Sequence, residues 1–347
     1  MTNPLERDLD EVVSNSADIW ERLRGCSIFV TGGTGFVGTW MMECLAWADL
    51  KLELNIRAVL LTRNPEGFRK KAPCVAERFE LLCSDCGDFE FPIGEFTYVI
   101  HAATEAPTPA NYDHPAGAFV KDVHSTKRVL EFAKEAGTKR FLFTSSGAIY
   151  GTQPNDLLAI PEDYMGAPSP MDAKSTYGQA KRASEFLCAT YSRHCDFDVL
   201  IARLFAFVGP HLPLEGYAVG NFMQDVLCKK VIQIESDGTA VRSYLYAADM
   251  ALWLWKILLQ GESMRPYNVG SSKAITVREL AGRVAAAGES SAGINVIGRA
   301  GVPAARYVPD TRRAEKELGL ELRVSLDEGL KRSLDWHRNR GTLAEQV

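Results

Sequence analysis

The sequence predicts an α/β protein: a doubly wound parallel sheet carrying a smaller C-terminal α/β lobe. Three observations lead there. Residues 27–47 read as strand, glycine turn and helix, apolar strands then alternate with helical patterns up to about residue 210, and beyond it that rhythm is lost. Such alternation is the signature of βαβ units with both sheet faces covered.

The first unit is the most informative. The apolar run Ile28–Val30 predicts a buried strand, and Gly32, Gly35 and Gly38 follow at three-residue spacing before the helical stretch Thr39–Trp47. Gly32 permits a tight turn, Gly35 lets backbone approach a pyrophosphate, and Gly38 lets the helix lie against the strand. The free N–H groups at the helix start, with Phe36 and Val37 in the turn before it, face the phosphates. A glycine triplet by itself also fits an ordinary turn, so the assignment to a Rossmann sheet rests on its context.

Residues 1–25 precede this unit and carry Leu5, Leu9, Val12, Val13, Ile19, Trp20 and Leu23 at roughly helical spacing. They predict one or two amphipathic helices packed on the outside of the core or on a partner subunit. After the first unit, Ile56–Thr62 predicts the second strand. Its exit offers Thr62 and Arg63 where an acidic residue would bind an adenosine 2′-hydroxyl. An arginine there pairs with a 2′-phosphate, so both NAD and NADP stand as cofactors. Phe79–Cys83 predicts a third strand with Asp85 and Cys86 at its exit. Phe96–His101 predicts a fourth that ends in Ala102, Ala103 and Thr104, small residues that leave room for a ligand. Cys83 and Cys86 have the spacing of a metal or redox pair, but no second such pair or nearby histidine pair accompanies them, which argues against a metal.

A helix is expected over 115–136, and a fifth strand over Arg140–Gly151 whose end carries the hydroxyls of Ser145 and Ser146, next to Thr144. A loop rich in Pro, Gly and Asp (152–174) then leads to a helix opening with Tyr177 and Lys181, and a sixth strand runs through Phe197–Phe205. The Rossmann domain is thus placed at 26–210, and residues 211–347 mainly form a substrate lobe over the crevice. Asp249–Leu259 is expected to pack back on the sheet.

Tyr177 and Lys181 lie one helical turn apart on one face. An ammonium and a positively charged nicotinamide near the phenol favour the phenolate and lower its pKa. With Ser146 holding the oxygen that loses its proton, the three make a general-base site for oxidising a secondary alcohol while hydride leaves. A Tyr and a Lys four apart are commonly just a helix surface; the order of all three signals is what singles this pair out.

Together, Thr31–Gly38, Ser145–Gly151 and Tyr177–Lys181 resemble the extended short-chain dehydrogenase/reductase family. Within it they resemble the nucleotide-sugar epimerases, dehydratases and decarboxylases, from about residue 26 to 335. The resemblance implies Ser146, Tyr177 and Lys181 as catalytic residues. It implies Asp85 near adenine, Ala102 and Ala103 along the cofactor, and a substrate held by Thr104, Ser146, Asn221 and Arg242, the last on its diphosphate. The chain departs from the family in having Gly147 and Ala148 after the catalytic serine, where dehydratases and decarboxylases place an acid, and in having Asp122 and Ala206 in place of asparagines. Without that acid, oxidation and re-reduction at C4 is the expected reaction, making a 4-epimerase. The alternatives are a dehydratase, decarboxylase or 4-dehydrogenase drawing an acid from elsewhere, with Glu162 the first candidate, or a non-catalytic dinucleotide sensor, which would not need the intact triad.

The formal net charge of −5 shows no basic face for nucleic acid, no apolar run approaches bilayer length, and the start of the chain lacks a signal-peptide pattern. Eight scattered cysteines suit reduced thiols and a cytoplasmic location. Apolar residues on the 115–136 and 177–192 helices suit a two-fold homodimer.

Overall fold

The computed structural model describes residues 3–104, 113–298 and 304–340. Helices α1 (Glu6–Ser14) and α2 (Ala17–Trp20) come first, and the apolar run after them forms β1 (Ser27–Thr31). The glycine turn leads into α3 (Phe36–Leu52), then β2 (Arg57–Thr62), α4 (Pro65–Lys71), α5 (Pro73–Arg78), β3 (Glu80–Cys83) and β4 (Tyr98–His101). Asn64 caps α4 by accepting from Gly67 N–H, with Pro65 at the first helical position, where a missing N–H costs nothing. Helix α6 (Pro115–Glu135), β5 (Arg140–Ser146), α7 (Thr176–Ser192) and β6 (Asp198–Leu204) complete the alternating part.

The later segments are shorter: β7 (Phe207–Val208), α8 (Ala218–Leu227), β8 (Ile232–Ile234), β9 (Val241–Arg242) and β10 (Leu245–Tyr246). Then come α9 (Ala247–Gln260), β11 (Tyr267–Val269), β12 (Ile275–Thr276), α10 (Val277–Ala287), β13 (Ile294–Val296), β14 (Arg306–Tyr307), α11 (Arg312–Leu318) and α12 (Leu326–Asn339). Asn221 and Phe222, expected among loops and short elements, lie inside α8.

The main sheet has seven parallel strands in the order β11-β6-β5-β4-β1-β2-β3. Strand order reverses between β1 and β4, so the crevice for a ligand opens at the carboxyl ends of those two strands. One face is covered by α3 and α9, and the other by α6 and α7. Helix α9 is apolar almost all round (Ala-Ala-Asp-Met-Ala-Leu-Trp-Leu-Trp) and is accordingly buried, packing on α3, β5 and β6. Strand β11 also returns to the main sheet, pairing with β6; its three residues are too short a run to announce themselves in the sequence. Among the described residues no helix is long and apolar enough to cross a membrane.

The N-terminal helices belong to the same core. Leu5, Leu9, Val12, Ile19, Trp20 and Leu23 are buried in one cluster with α3 and α9, and Trp20 packs on Trp255 at 5.6 Å. Of the two expected settings, the outside of the core and a partner subunit, the structure shows the first: α1 packs on α3 and α9 of its own chain. Arg332 on α12 fastens it, bonding Asp8, Glu11 at 3.0 Å and Glu328 at 2.8 Å, while Tyr246 Oη donates to Asp8 at 2.7 Å. Burial raises the Asp8 carboxyl, and these bonds oppose the rise. Arg332→Ala strands a buried carboxylate, and urea denaturation is expected to show a loss of about 3 kcal/mol.

Candidate active site

A crevice of about 1070 Å³ runs along the carboxyl ends of β1, β2, β4, β5 and β6 and on under β8, β9 and β14. Its wall includes Gly32, Gly35, Phe36, Val37, Gly38, Thr62, Arg63, Asp85, Cys86, Ala102, Ala103 and Thr104 from the first half of the chain. Thr144, Ser146, Tyr177, Lys181, Asn221 and Arg242 line it as well, so the expected catalytic, cofactor and substrate residues converge on one cavity.

The glycine turn is shaped for close approach. Gly32 has φ +69°, a left-handed conformation, and a Cβ there would stand 2.3 Å from the backbone of Ala102 and Ala103. A Cβ on Gly38 would stand 2.2 Å from the Gly32 carbonyl oxygen. Gly35 is the N-cap of α3, and the first intrahelical bond runs from Thr39 N–H to Gly35 O at 2.9 Å. The N–H groups of Phe36, Val37 and Gly38 precede it and form the positive end of the helix. This cradle, which side chains would fill, fits a dinucleotide pyrophosphate.

The adenosine end has mixed charge. Asp85 accepts from Gly87 N–H at 3.0 Å and pairs with Lys121 at 3.3 Å, which hold its carboxyl below the usual range. Arg63 is exposed at the exit of β2 and contributes to that lowering. Cys83 is exposed, whereas the thiol of Cys86 is pushed up to about 12, mainly by burial. A half-buried thiol that stays neutral is neither a nucleophile nor a ready ligand. Among the described residues no group of three metal-ligating side chains forms.

At the other end, Ser146 terminates β5 and caps a short 3₁₀ turn (Gly147–Tyr150), its Oγ accepting from Ala148 N–H at 3.1 Å. Lys181 is buried, and its Nζ donates to the Thr144 carbonyl at 2.8 Å, lying 4.9 Å from the Phe143 ring and 5.9 Å from that of Tyr177. Burial brings this lysine down to about 8, with Asp122 pulling the other way. The expected depression of Tyr177 is corrected for the protein alone. Desolvation raises its phenol above the ordinary value, the Ser146 hydroxyl opposes the rise, and Tyr307 and Asp122 add to it. The lysine is tied to a main-chain carbonyl instead of the phenol oxygen, so it acts at a distance.

Glu162 does not reach the crevice. It is buried, accepts from Asn268 N–H at 3.0 Å and pairs with Arg313 at 3.7 Å, so it clamps the long loop to β11 and α11. Its role as a substitute acid is therefore withdrawn. Beside it, Arg203 and Glu185 form a forked ion pair at 2.8–3.0 Å, and Arg203 also donates to Tyr150 Oη at 2.8 Å. Asp122 is buried on the crevice wall and accepts from Thr104 at 3.0 Å, the last described residue before 113. Arg242 donates to the carbonyls of Val241 and Ala305 at 2.9 and 3.0 Å.

Several wall residues escaped the sequence: Phe205, Tyr217 and Tyr307. Tyr307 sits on a two-residue strand paired in parallel with β9, placing it opposite Arg242. No motif marks it; the pairing that brings it to Ser146 is tertiary.

Comparison with known proteins agrees with this geometry. The NAD dependent epimerase/dehydratase family matches residues 28–270. UDP-glucuronic acid decarboxylase 6 of Arabidopsis thaliana is 31% identical over 307 residues, covering 87% of this chain and 86% of that protein. The fold resembles UDP-glucose 4-epimerase of Thermotoga maritima, with TM-score 0.78 and 24% identity over 90% of this chain and 99% of the other. It also resembles a dTDP-glucose 4,6-dehydratase from Streptomyces venezuelae with NAD bound, with TM-score 0.76 and 23% identity over 91% and 98%. The family match covers most of the chain, and the chain is an enzyme of the NAD dependent epimerase/dehydratase family.

Proposed function

We propose that the protein is a nucleotide-sugar 4-epimerase that works through a transient 4-keto sugar. The observation that carries this reading is the pair of positions 147 and 148: after Ser146, where an acid would serve C5, there are only glycine and alanine. Ser146 holds the C4 oxygen, and Tyr177 takes its proton as C4 becomes a ketone. Lys181, a buried cation on the same helix face, favours the phenolate. When bound, the nicotinamide ring supplies the hydride exchange at C4. Tyr177 returns the proton when the carbonyl is reduced from its other face. Arg242 and Asn221, on the far side of the crevice, are assigned to the substrate's diphosphate and sugar.

The relatives support a second reading, decarboxylation of a nucleotide-linked uronic acid, since curated proteins near 30% identity carry that name. Incubation with UDP-glucose, UDP-glucuronic acid and dTDP-glucose in deuterated water, followed by NMR and mass spectrometry, separates the two. Inversion at C4 with no deuterium on carbon supports the epimerase. Carbon dioxide release with deuterium at C5 establishes the decarboxylase, and loss of water with label at C5 or C6 the dehydratase.

Arg63 supports use of NADP as well as NAD. Arg63→Ala is expected to weaken NADP by about tenfold to a hundredfold, the range for a charged hydrogen bond, and to leave NAD nearly unchanged. Competitive titration of the two nucleotides checks this, and equal loss for both refutes it. A homodimer through α6 and α7 is proposed on exposed Val120 and Phe186, which those adjacent helices carry. Light scattering of wild type and Phe186→Asp tests it. The domain division at residue 210 and a cytoplasmic location are carried as proposals too.

A further inference from the structure

A Cβ added to Gly147 would lie 2.6 Å from the hydroxyl oxygen of Tyr307 and 2.6 Å from Cζ of Phe205. The space beside Ser146 is therefore occupied: the room for a side chain at 147 is taken by a phenol from β14. The Tyr307 ring is fixed there, tilted by 32° against Phe205 at 4.6 Å between centroids. Among the described residues its hydroxyl also reaches the Leu204 carbonyl, which accepts at 3.4 Å, the long end of the range.

We propose that Tyr307 is a positioning residue of the reaction centre, its hydroxyl standing where residue 147 has no side chain and turning the Ser146 hydroxyl toward Tyr177. The inference rests on the reading of Ser146 and Tyr177 as the proton-transfer pair. A serine hydroxyl has one proton and two acceptor positions. Ala148 N–H fills one acceptor position. A proton donated by Tyr307 fills the other, and the serine's own proton is left to Tyr177. Such a chain strengthens along its length and stabilises the phenolate at its end. Tyr307 suits the donor role: burial pushes its own phenol up to about 12, so it keeps its proton. The sugar then faces a neutral hydroxyl and an aromatic edge on this side.

The groups facing the two phenols are few. Tyr177 has Ser146, Tyr307, Asp122 and Tyr217 about it, with Lys181 beneath its ring. Tyr307 has Ser146, Arg242 and Tyr150. Tyr307→Phe keeps the ring beside Phe205 and every one of those charges, and removes only the hydroxyl.

The test follows Tyr177 directly. Ultraviolet pH titration of the NAD-saturated enzyme without sugar, in wild type, Tyr177→Phe and Tyr307→Phe, identifies the Tyr177 transition as the one absent from Tyr177→Phe. In Tyr307→Phe that transition is expected about one unit higher, the worth of one hydrogen bond. An unchanged midpoint overturns the proposal. This arm needs no turnover, so it stands or falls apart from the epimerase reading. In the turnover assay Tyr307→Phe is expected to lower kcat about tenfold at neutral pH, with KM unchanged and the loss recovered at alkaline pH. A loss independent of pH overturns the positioning role. Finally, Gly147→Ala is expected to lower Tm less in the Tyr307→Phe background than in wild type, because the phenol oxygen no longer opposes the methyl group. Equal losses overturn the claim that this hydroxyl holds the space.

Discussion

Tyr177→Phe is expected to reduce turnover by about 10²–10⁴-fold while leaving nucleotide and sugar-nucleotide affinity within a few-fold of wild type. The ring remains, so the shape of the crevice is kept, and only the proton acceptor is lost. Single-turnover absorbance of the cofactor, with calorimetric titration of both ligands, separates the two effects. Rates near wild type would remove Tyr177 from the mechanism. Lys181→Ala is expected to slow the reaction and move the alkaline limb of the pH profile upward. Its ammonium sits beneath the phenol ring without contacting the oxygen, so the shift is electrostatic and leaves residual activity.

The second large effect is at Gly32. Alanine there places a methyl group 2.3 Å from the Ala102–Ala103 backbone and forces a side chain into a left-handed φ. Neither neighbour is the end of a flexible side chain, so the tips of β1 and β4 must separate. Overpacking costs about 1–3 kcal/mol and the left-handed conformation about 1–2 more. NAD affinity is expected to fall at least a hundredfold, because the displaced turn carries the N–H groups that meet the pyrophosphate. Fluorescence titration and thermal melting measure both. Wild-type affinity with an intact melting curve would sink the cradle assignment.

Much of the site was legible because its residues are local in sequence. The glycine turn, the Ser145–Ser146 strand end and the Tyr177–Lys181 turn each encode their own geometry within a few residues. Periodicity alone then puts them at the carboxyl edge of one parallel sheet. The N-terminal helices were equally legible as helices, but a helix pattern does not say which surface its apolar stripe covers. Burial of Leu9 and Trp20 against α3 and α9 depends on contacts far along the chain.

Two questions at the site were decided only in three dimensions. Glu162 looked available because it is acidic and precedes Tyr177, yet the loop turns it away to Asn268 and Arg313. Tyr307 carried no signal, being 160 positions from Gly147 and on a strand of two residues.

By itself the sequence determined the α/β class, the glycine turn and the candidate proton-transfer group, since each rests on short-range spacing and on the backbone freedom of glycine. The tertiary structure alone decided what surrounds that group: a lysine tied to a carbonyl, a phenol raised by desolvation, and a second phenol in the room that glycine leaves. Desolvation and close contact are properties of the packed chain, and no short stretch of sequence contains them.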